Sequence, residues 1–555
     1  MPFNAQNGGV VPFVAALTLA PLTYRWFYVQ TNFFREEAVT EVEGLLKRAA
    51  TAGYNGMVFT DTKLQSLDPY PDFYKARVKK VLQEAKALKI DVIPEVLPVG
   101  YAAGMLARNP SLVEAMPLRD VPFVVRGREA QVAPDPDIRF ENGDFESADG
   151  NQFIGYAFQD GVGASTFADH AVFHGGATSL RMQDPNGGNC RIMRRVKVRP
   201  GRHYEFSAWT KTADFKGVGT VRMLVLGKDG KQLSFHDMPL QSTMDWTRMV
   251  VTFDTKANEE ALLYLGSWGG STGKLWWDDA QVKELGLMNL VRRPGCPVRV
   301  KGEDGTAYVE GQDFERLEDP RSGQIPWAGE YEVSHDSPPI RLTAASRIHD
   351  GERLKVSFSH AVSTEMGKTA LCLSEPASRK LEDAEIRRVA GLFGAGRFFF
   401  GHDEIRVMNL CDACKKRNLT PGQMLAADIA ADDATVRGLD PKAERFVWSD
   451  MFDPFHNAVA GYYAVDGDLA GSWKGLPKEM VVVNWNSGNP EKSLPFFAQL
   501  GHRQILAGYY DGPVDAIKDW LAKGRGQKVA GVMYTTWQNR YDDLEAFAKA
   551  AWGSG

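Results

Sequence analysis

Between Tyr24 and Gly104 the sequence alternates short apolar runs (residues 25–30, 56–61 and 90–96) with amphipathic stretches near 36–52 and 72–88. Strands joined through helices run parallel, because a helical crossover returns the chain to the same end of the sheet. The alternation resumes with a helical pattern from Leu381 and an apolar run at Phe398, then continues through 445–450, 479–485, 503–511 and 528–537. Three strand patterns before the interruption and five after it predict an α/β chain closed as an eight-stranded (β/α)8 TIM barrel. Such a barrel carries its site at the carboxyl ends of its strands. Residues 1–120 are assigned to strands one to three and residues 361–555 to strands four to eight.

The interruption has a different grammar. Short runs of alternating polarity, punctuated by Gly, Asn and Asp, predict an inserted all-β sandwich over 138–285, followed by a β-rich connecting segment over 286–360. A chain of 555 residues accommodates such a division and still buries a large core. A net charge of -5 without a long basic run excludes a nucleic-acid surface and suits a neutral ligand. The apolar stretch 8–21 is broken by Pro12 and is shorter than the roughly 20 residues a membrane span needs. No Lys or Arg stands in residues 1–9, so the stretch reads as a lead-in to the barrel rather than a signal peptide. The five cysteines are odd in number and dispersed, and define no disulfide framework. Cys411 and Cys414 have the spacing of half a zinc site or of a redox motif, with no second ligand pair evident, and are expected to be structural.

The strand pattern at Phe398 ends in Gly401-His402-Asp403-Glu404, two adjacent carboxylates where a barrel places its catalytic groups. A retaining glycosidase needs an acid at the leaving oxygen and a nucleophile at the anomeric carbon; some take that nucleophile from the sugar's own 2-acetamido oxygen. Adjacent Asp and Glu suit that division, with Glu404 as general acid/base and Asp403 orienting the acetamido group. Repulsion within the pair, with partial burial, is expected to raise the pKa of one carboxyl. His402 is either a helper that tunes Glu404 or a packed histidine.

These residues resemble the β-N-acetylhexosaminidases of glycoside hydrolase family 20, whose fourth strand ends in His-x-Gly-Gly-Asp-Glu. The resemblance extends to Thr60-Asp61 on strand two, Ile93-Pro94-Glu95 on strand three, Val447-Trp448 on strand five, Asn484-Trp485 on strand six, Tyr509-Tyr510-Asp511 on strand seven and Thr536-Trp537 on strand eight. It implies catalysis by Asp403 and Glu404, with Asp61, Glu95, His402, Trp448, Trp485, Tyr509, Asp511 and Trp537 binding the sugar. The tryptophans would wall the acetamido pocket and Tyr509 would hydrogen-bond the acetamido oxygen. The chain departs from the family pattern at Phe399, His402 and Tyr101, which replace a histidine, a glycine and a histidine, and at Gln538-Asn539 after the last tryptophan. The first-strand arginine that grips sugar hydroxyls has only Arg25 and Arg35 as neighbours of its position.

The inserted region resembles carbohydrate-binding jelly rolls of the family 4, 16 and 22 type, through Asn142-Gly143-Asp144-Phe145-Glu146, the Pro200-Gly201 turn and Trp277-Asp278-Asp279. That likeness implies a structural calcium, for which Asp144, Glu146 and Asp278 offer oxygens, and a stacking platform drawn from Trp209, Trp246, Trp268, Trp276 and Trp277, with Trp246 expected inside the sandwich. The expected activity is release of terminal N-acetylglucosamine or N-acetylgalactosamine by substrate assistance, without a catalytic cofactor, from an oligosaccharide or glycoconjugate. A secreted or periplasmic location follows from that substrate class alone, and a cytoplasmic one stays open. Two alternatives also stay open: a retaining β-glycosidase with a protein nucleophile, Glu95 or Asp450, and a non-catalytic carbohydrate-binding barrel. Oligomeric state is not encoded in these patterns.

Overall fold

A computed structural model describes residues 22–184, 186–394 and 396–553; the lead-in read at 8–21 lies outside the described residues. Eight parallel strands close a barrel in chain order: β1 (Tyr24–Gln30), β2 (Gly56–Thr60), β3 (Asp91–Val96), β4 (Arg397–Phe400), β5 (Glu444–Trp448), β6 (Val481–Asn484), β7 (Gln504–Tyr509) and β8 (Val529–Thr535). Closure is made where β8 pairs with β1, Gly531 opposite Tyr24. Alternate side chains of each strand face opposite ways. Tyr24, Trp26, Tyr28, Ile93, Phe399, Phe446 and Trp448 therefore fill the barrel interior, while Phe27, Val29, Phe398 and Phe400 join the larger core beneath the helices. No described helix is long and apolar enough to cross a membrane.

The chain leaves the barrel after β3. A six-stranded sheet is built from both ends of the excursion: Ala115–Arg126 pairs with Arg353–Ala361, flanked by Arg299–Gly302 and Glu129–Val132. The boundary read at residue 120 thus falls inside a strand of this sheet. The alternation of Ala115–Arg126 serves a partner more than 200 residues away, which local patterning does not reveal. At its neck, Val113 bridges Leu371 and the two ends leave and return side by side.

Beyond this sheet lie two antiparallel sheets. One has five strands, including His203–Lys216 and Thr272–Glu284; the other has four, including Asn189–Lys197 and Glu260–Trp268. Their facing residues share one core containing Ile192, Phe206, Phe253, Leu263 and Trp277. This sandwich touches the rest of the chain through both apolar and polar contacts, with the Phe235 ring 5.3 Å from that of Tyr463. The Glu365 N–H donates to the Phe235 carbonyl at 2.6 Å. Asp254 lies between His203 and His360, at 3.1 and 2.8 Å.

Candidate active site

At the carboxyl ends of the barrel strands a cavity of about 660 Å³ is lined by residues from β1 to β8, among them Tyr28, Asp61, Glu95, Asp403, Glu404, Trp448, Trp485, Tyr510 and Trp537. That is the size range of small-molecule sites. Trp448 forms the floor, 1% exposed, and Trp537 the rim, 40% exposed. The aromatic wall is continuous: Trp485 stacks on Tyr510 with centroids 5.9 Å apart, Tyr510 meets Trp537 edge-on at 5.7 Å, and Trp537 lies 5.9 Å from Trp448.

Strand parity explains how β4 delivers its carboxylates. Phe398 and Phe400 point outward and Phe399 inward, so continuing the alternation sends His402 outward and Asp403 inward. Gly401 lies on the inward side, where a Cβ would meet Glu95 Oε1 at 3.0 Å. Glu404 should then face away, but its φ of +46° turns the chain back toward the cavity. Left-handed backbone at a non-glycine residue costs about 1–3 kcal/mol and persists only where neighbours enforce it. The enforcing neighbour is Asp450, whose Oδ2 accepts the Glu404 N–H at 2.9 Å and Asn457 Nδ2–H at 2.9 Å. Gly100 permits the close approach of β3, since a Cβ there would lie 2.2 Å from the Asp403 carbonyl oxygen.

The two carboxylates have different surroundings. Glu404 is gripped by Arg406, whose Nη2 lies 2.7 Å from its Oε2, and accepts the Tyr101 hydroxyl on the same oxygen. Arg406 also pairs with Glu365 at 2.8 Å. At Asp403, burial first, then the charges of Asp450, Glu95 and Glu404, push the carboxyl well above the usual carboxylate range. Burial raises Glu95 as well. Its oxygens accept from Tyr28 Oη at 2.6 Å and Trp448 Nε1 at 3.3 Å. Asp450, raised by burial, takes Trp485 Nε1–H at 3.1 Å and so orients that indole. The cavity therefore places a cation-paired carboxylate beside a carboxyl biased toward its neutral form, the pairing that acid/base chemistry requires.

Several sequence expectations are corrected. Tyr509 does not line the cavity: its hydroxyl donates to Asp543 at 2.9 Å and its ring stacks on Tyr534. Three successive residues with positive φ, Tyr509, Tyr510 and Asp511, form the turn after β7 and bring Tyr510 inward instead. The Tyr510 hydroxyl is buried with no hydrogen-bond partner among the described residues. Asp511 accepts the Thr536 hydroxyl and the Trp537 N–H, positioning the Trp537 loop from outside the cavity. His402 is fully buried behind the site, with Nε2 3.2 Å from both Asp428 and Asp432 on helix Pro421–Leu439. Asp61 lines the cavity, but its oxygens are committed to the Phe33 and Lys63 N–H groups and the Tyr74 hydroxyl. Arg35 pairs with Glu41 at the surface, and β1 supplies Tyr28 and Gln30 to the cavity rather than an arginine.

Tyr28, Gln30, Tyr101, Lys368 and Tyr510 line the site without having been singled out as binders. Parity along β1 places Tyr28 inward with Tyr24 and Trp26, a signal present in the sequence. Lys368, which arrives from the returning end of the excursion, left no local signal.

In the sandwich, Glu146 Oε1 accepts the Ala177 and Thr178 N–H groups. Asp278 accepts from His174, Gly175 and Asp279. Groups of three or more ligand-type side chains among the described residues lie elsewhere. One oxygen of Glu146 and both of Asp278 are thus held by backbone donors. Trp277 is core, and Trp276 is buried with its Nε1 on Asp169. Trp246 is half-buried rather than interior, edge-on to His174, which stacks on Trp209 at 4.0 Å.

No family model matches the chain. No curated protein matches it. Among solved structures it is similar to the chitobiase of Flavobacterium johnsoniae, at 10% identity and a TM-score of 0.39, over 96% of this chain and 48% of that one. It is also similar to a β-N-acetylhexosaminidase, at 11% identity and a TM-score of 0.41, over 96% of this chain and 72% of that one. A family 16 carbohydrate-binding module matches 22% of this chain over 87% of its own length, at 18% identity and a TM-score of 0.16. The chain spans about half the length of the chitobiase.

Proposed function

We propose that this protein is a glycoside hydrolase that releases a terminal N-acetylhexosamine with retention, the acetamido oxygen of the substrate acting as nucleophile. The observation that carries the reading is the shared cavity: Asp403 and Glu404 stand together in a space of about 660 Å³ walled by Trp448, Trp485, Tyr510 and Trp537. Indole and phenol faces suit the apolar faces of a pyranose and its acetamido methyl. The buried, unpartnered Tyr510 hydroxyl is the donor for the acetamido oxygen, the role that the family resemblance gave to Tyr509. The reaction needs no cofactor. The test is a panel of aryl glycosides, gluco and galacto, with and without the 2-acetamido group. Turnover confined to the acetamido members, with inhibition by an N-acetylglucosamine thiazoline, is expected; equal turnover of sugars lacking the group sinks the reading.

In the first division of labour, Glu404 protonates the leaving oxygen and Asp403 holds the acetamido N–H. Glu404→Gln and Asp403→Asn then each lower hydrolysis by about 100-fold or more. A second division is favoured by the raised Asp403 carboxyl, which makes Asp403 the resident proton donor, while Glu404, gripped by Arg406, is the carboxylate that holds the N–H. Aryl leaving groups of graded acidity separate them, because loss of the acid is rescued by a good leaving group and loss of the N–H acceptor is not.

The segment 138–285 is proposed to be a carbohydrate-binding jelly roll whose half-exposed Trp209, His174 and Trp246 meet the glycan. Calorimetry with Trp209→Ala checks that binding. The proposed location is outside the cytoplasm, where such glycans are met.

A further inference from the structure

Cys411 and Cys414 do not stand alone. Cys372 and Glu114, 39 and 297 residues before Cys411, converge on them. The Cys372 sulfur lies 3.6 Å from Cys411 Sγ and 3.8 Å from Cys414 Sγ, and Cys414 Sγ lies 3.4 Å from Glu114 Oε2. One ligand atom from each of the four falls within 4.8 Å of all the others. With metal–sulfur bonds of about 2.3 Å and a metal–oxygen bond of about 2.0 Å, tetrahedral zinc spaces two sulfurs about 3.8 Å apart and sulfur and oxygen about 3.5 Å apart. The observed separations match that frame within a few tenths of an ångström. They do not match a disulfide, whose sulfurs lie about 2.05 Å apart.

The surroundings match as well. All four residues are 1% exposed or less, so the pair is shielded from the partners that a redox motif must meet. Glu114 Oε1 accepts the Leu410 and Cys411 N–H groups at 2.8 and 2.9 Å, which fixes the carboxylate and turns Oε2 toward the sulfurs. Such outer contacts orient metal ligands. Arg293, held on the Ser111 and Val113 carbonyls, stands within electrostatic reach of the cluster and offsets its excess negative charge.

We propose that Glu114, Cys372, Cys411 and Cys414 form a structural zinc site. Three thiolates and a carboxylate in closed tetrahedral array select zinc and leave no open position for catalysis. The ligands come from three segments that the fold must hold together. Glu114 sits where the chain leaves the barrel, Cys372 where it returns, and Cys411 and Cys414 shortly after Glu404 and Arg406. The ion would pin the neck of the excursion to the loop that follows β4.

The test uses the full chain, purified under a phosphine reductant without chelator. Elemental analysis is expected to find one equivalent of zinc, released to a metal-indicator dye when the protein is denatured. Cobalt loaded in place of zinc should give the intense visible bands of tetrahedral cobalt and near-ultraviolet thiolate charge transfer. Cys411→Ser with Cys414→Ser should lose the zinc, and Cys190→Ser, in the sandwich, should keep it. Should the double variant fail to fold, the wild-type zinc content and cobalt spectrum decide. Substoichiometric zinc after incubation with zinc salts, a disulfide among Cys372, Cys411 and Cys414 by mass spectrometry, or zinc retained by the folded double variant each overturns the proposal.

Discussion

The Arg406 guanidinium holds Glu404 through one nitrogen, Nη2, at 2.7 Å, and the same nitrogen reaches Glu365 at 2.8 Å. One cation thus ties the carboxylate of the cavity to the segment that carries the sandwich. The Arg406 side chain is only 6% exposed, and removing one partner of a buried pair leaves uncompensated charge, typically at a cost of about 3–5 kcal/mol. Arg406→Met should therefore lose about 3 kcal/mol of stability in denaturant unfolding, and adding Glu365→Gln should recover part of it. Strict additivity of the two substitutions would show that the carboxylates do not share the cation.

Asp403 sets an alkaline limb. Its carboxyl is raised well above the usual carboxylate range, so the proton is held at acidic pH and lost as pH rises through the elevated value. If that proton is used, kcat declines on the alkaline side, and the decline disappears in the residual activity of Asp403→Asn. An unchanged alkaline limb in that variant assigns the titration elsewhere.

Tyr510 and Tyr509 make a paired comparison. Tyr510→Phe removes the buried hydroxyl that lacks a partner and should lower kcat by about 100-fold on the acetamido substrate, in line with the loss of one oxyanion-type donor. Tyr509→Phe removes a bond to Asp543 and should cost about 1 kcal/mol of stability with near-normal kcat. The reverse pattern would restore the assignment read from the sequence.

His402 gives the fold a pH dependence of its own. Burial alone would lower its pKa, but hydrogen bonds and charge from Asp428 and Asp432 outweigh it and push the imidazole from 6.5 to about 9. Arg379 and Glu382 on helix Pro376–Phe393 face the same carboxylates, with Arg379 2.5 Å from Asp432 and 3.2 Å from Glu382. The folded value exceeds the unfolded one, so the stabilisation is complete below 6.5 and is lost as pH rises through about 9. Its ceiling is about 3 kcal/mol. Unfolding free energy measured against pH should fall over that window, and His402→Gln should flatten the slope.

The barrel was legible because each strand carries its own apolar run and each crossover its own helical period, so counting runs gave the closure. Trp448 was reached through the resemblance and Asp403 through its place at a strand end, and parity along β5 and β4 agrees with both. The same parity would have sent His402 to the helix side, had it been extended past Phe400. Glu404 and Tyr510 escape that rule, since positive φ at each breaks the two-residue period. Of the partners of Glu404, Arg406 lies two residues along the same loop, whereas Tyr101 was hidden because a contact across 303 residues leaves no local pattern. The sheet spanning Ala115–Arg126 and Arg353–Ala361 was split in the reading because its halves lie on either side of the sandwich.

The hydrogen bond from Glu365 to the Phe235 carbonyl has a bearing on ancestry and engineering. A loop carbonyl of the sandwich is three links from the proposed acid, by way of Glu365 and Arg406. Shuffling this insertion for another would have to transplant the 362–368 segment with it, because a foreign lobe that misplaced that carbonyl would loosen the grip on Glu404. Lobe and barrel are therefore expected to have diverged in step, as one inherited unit.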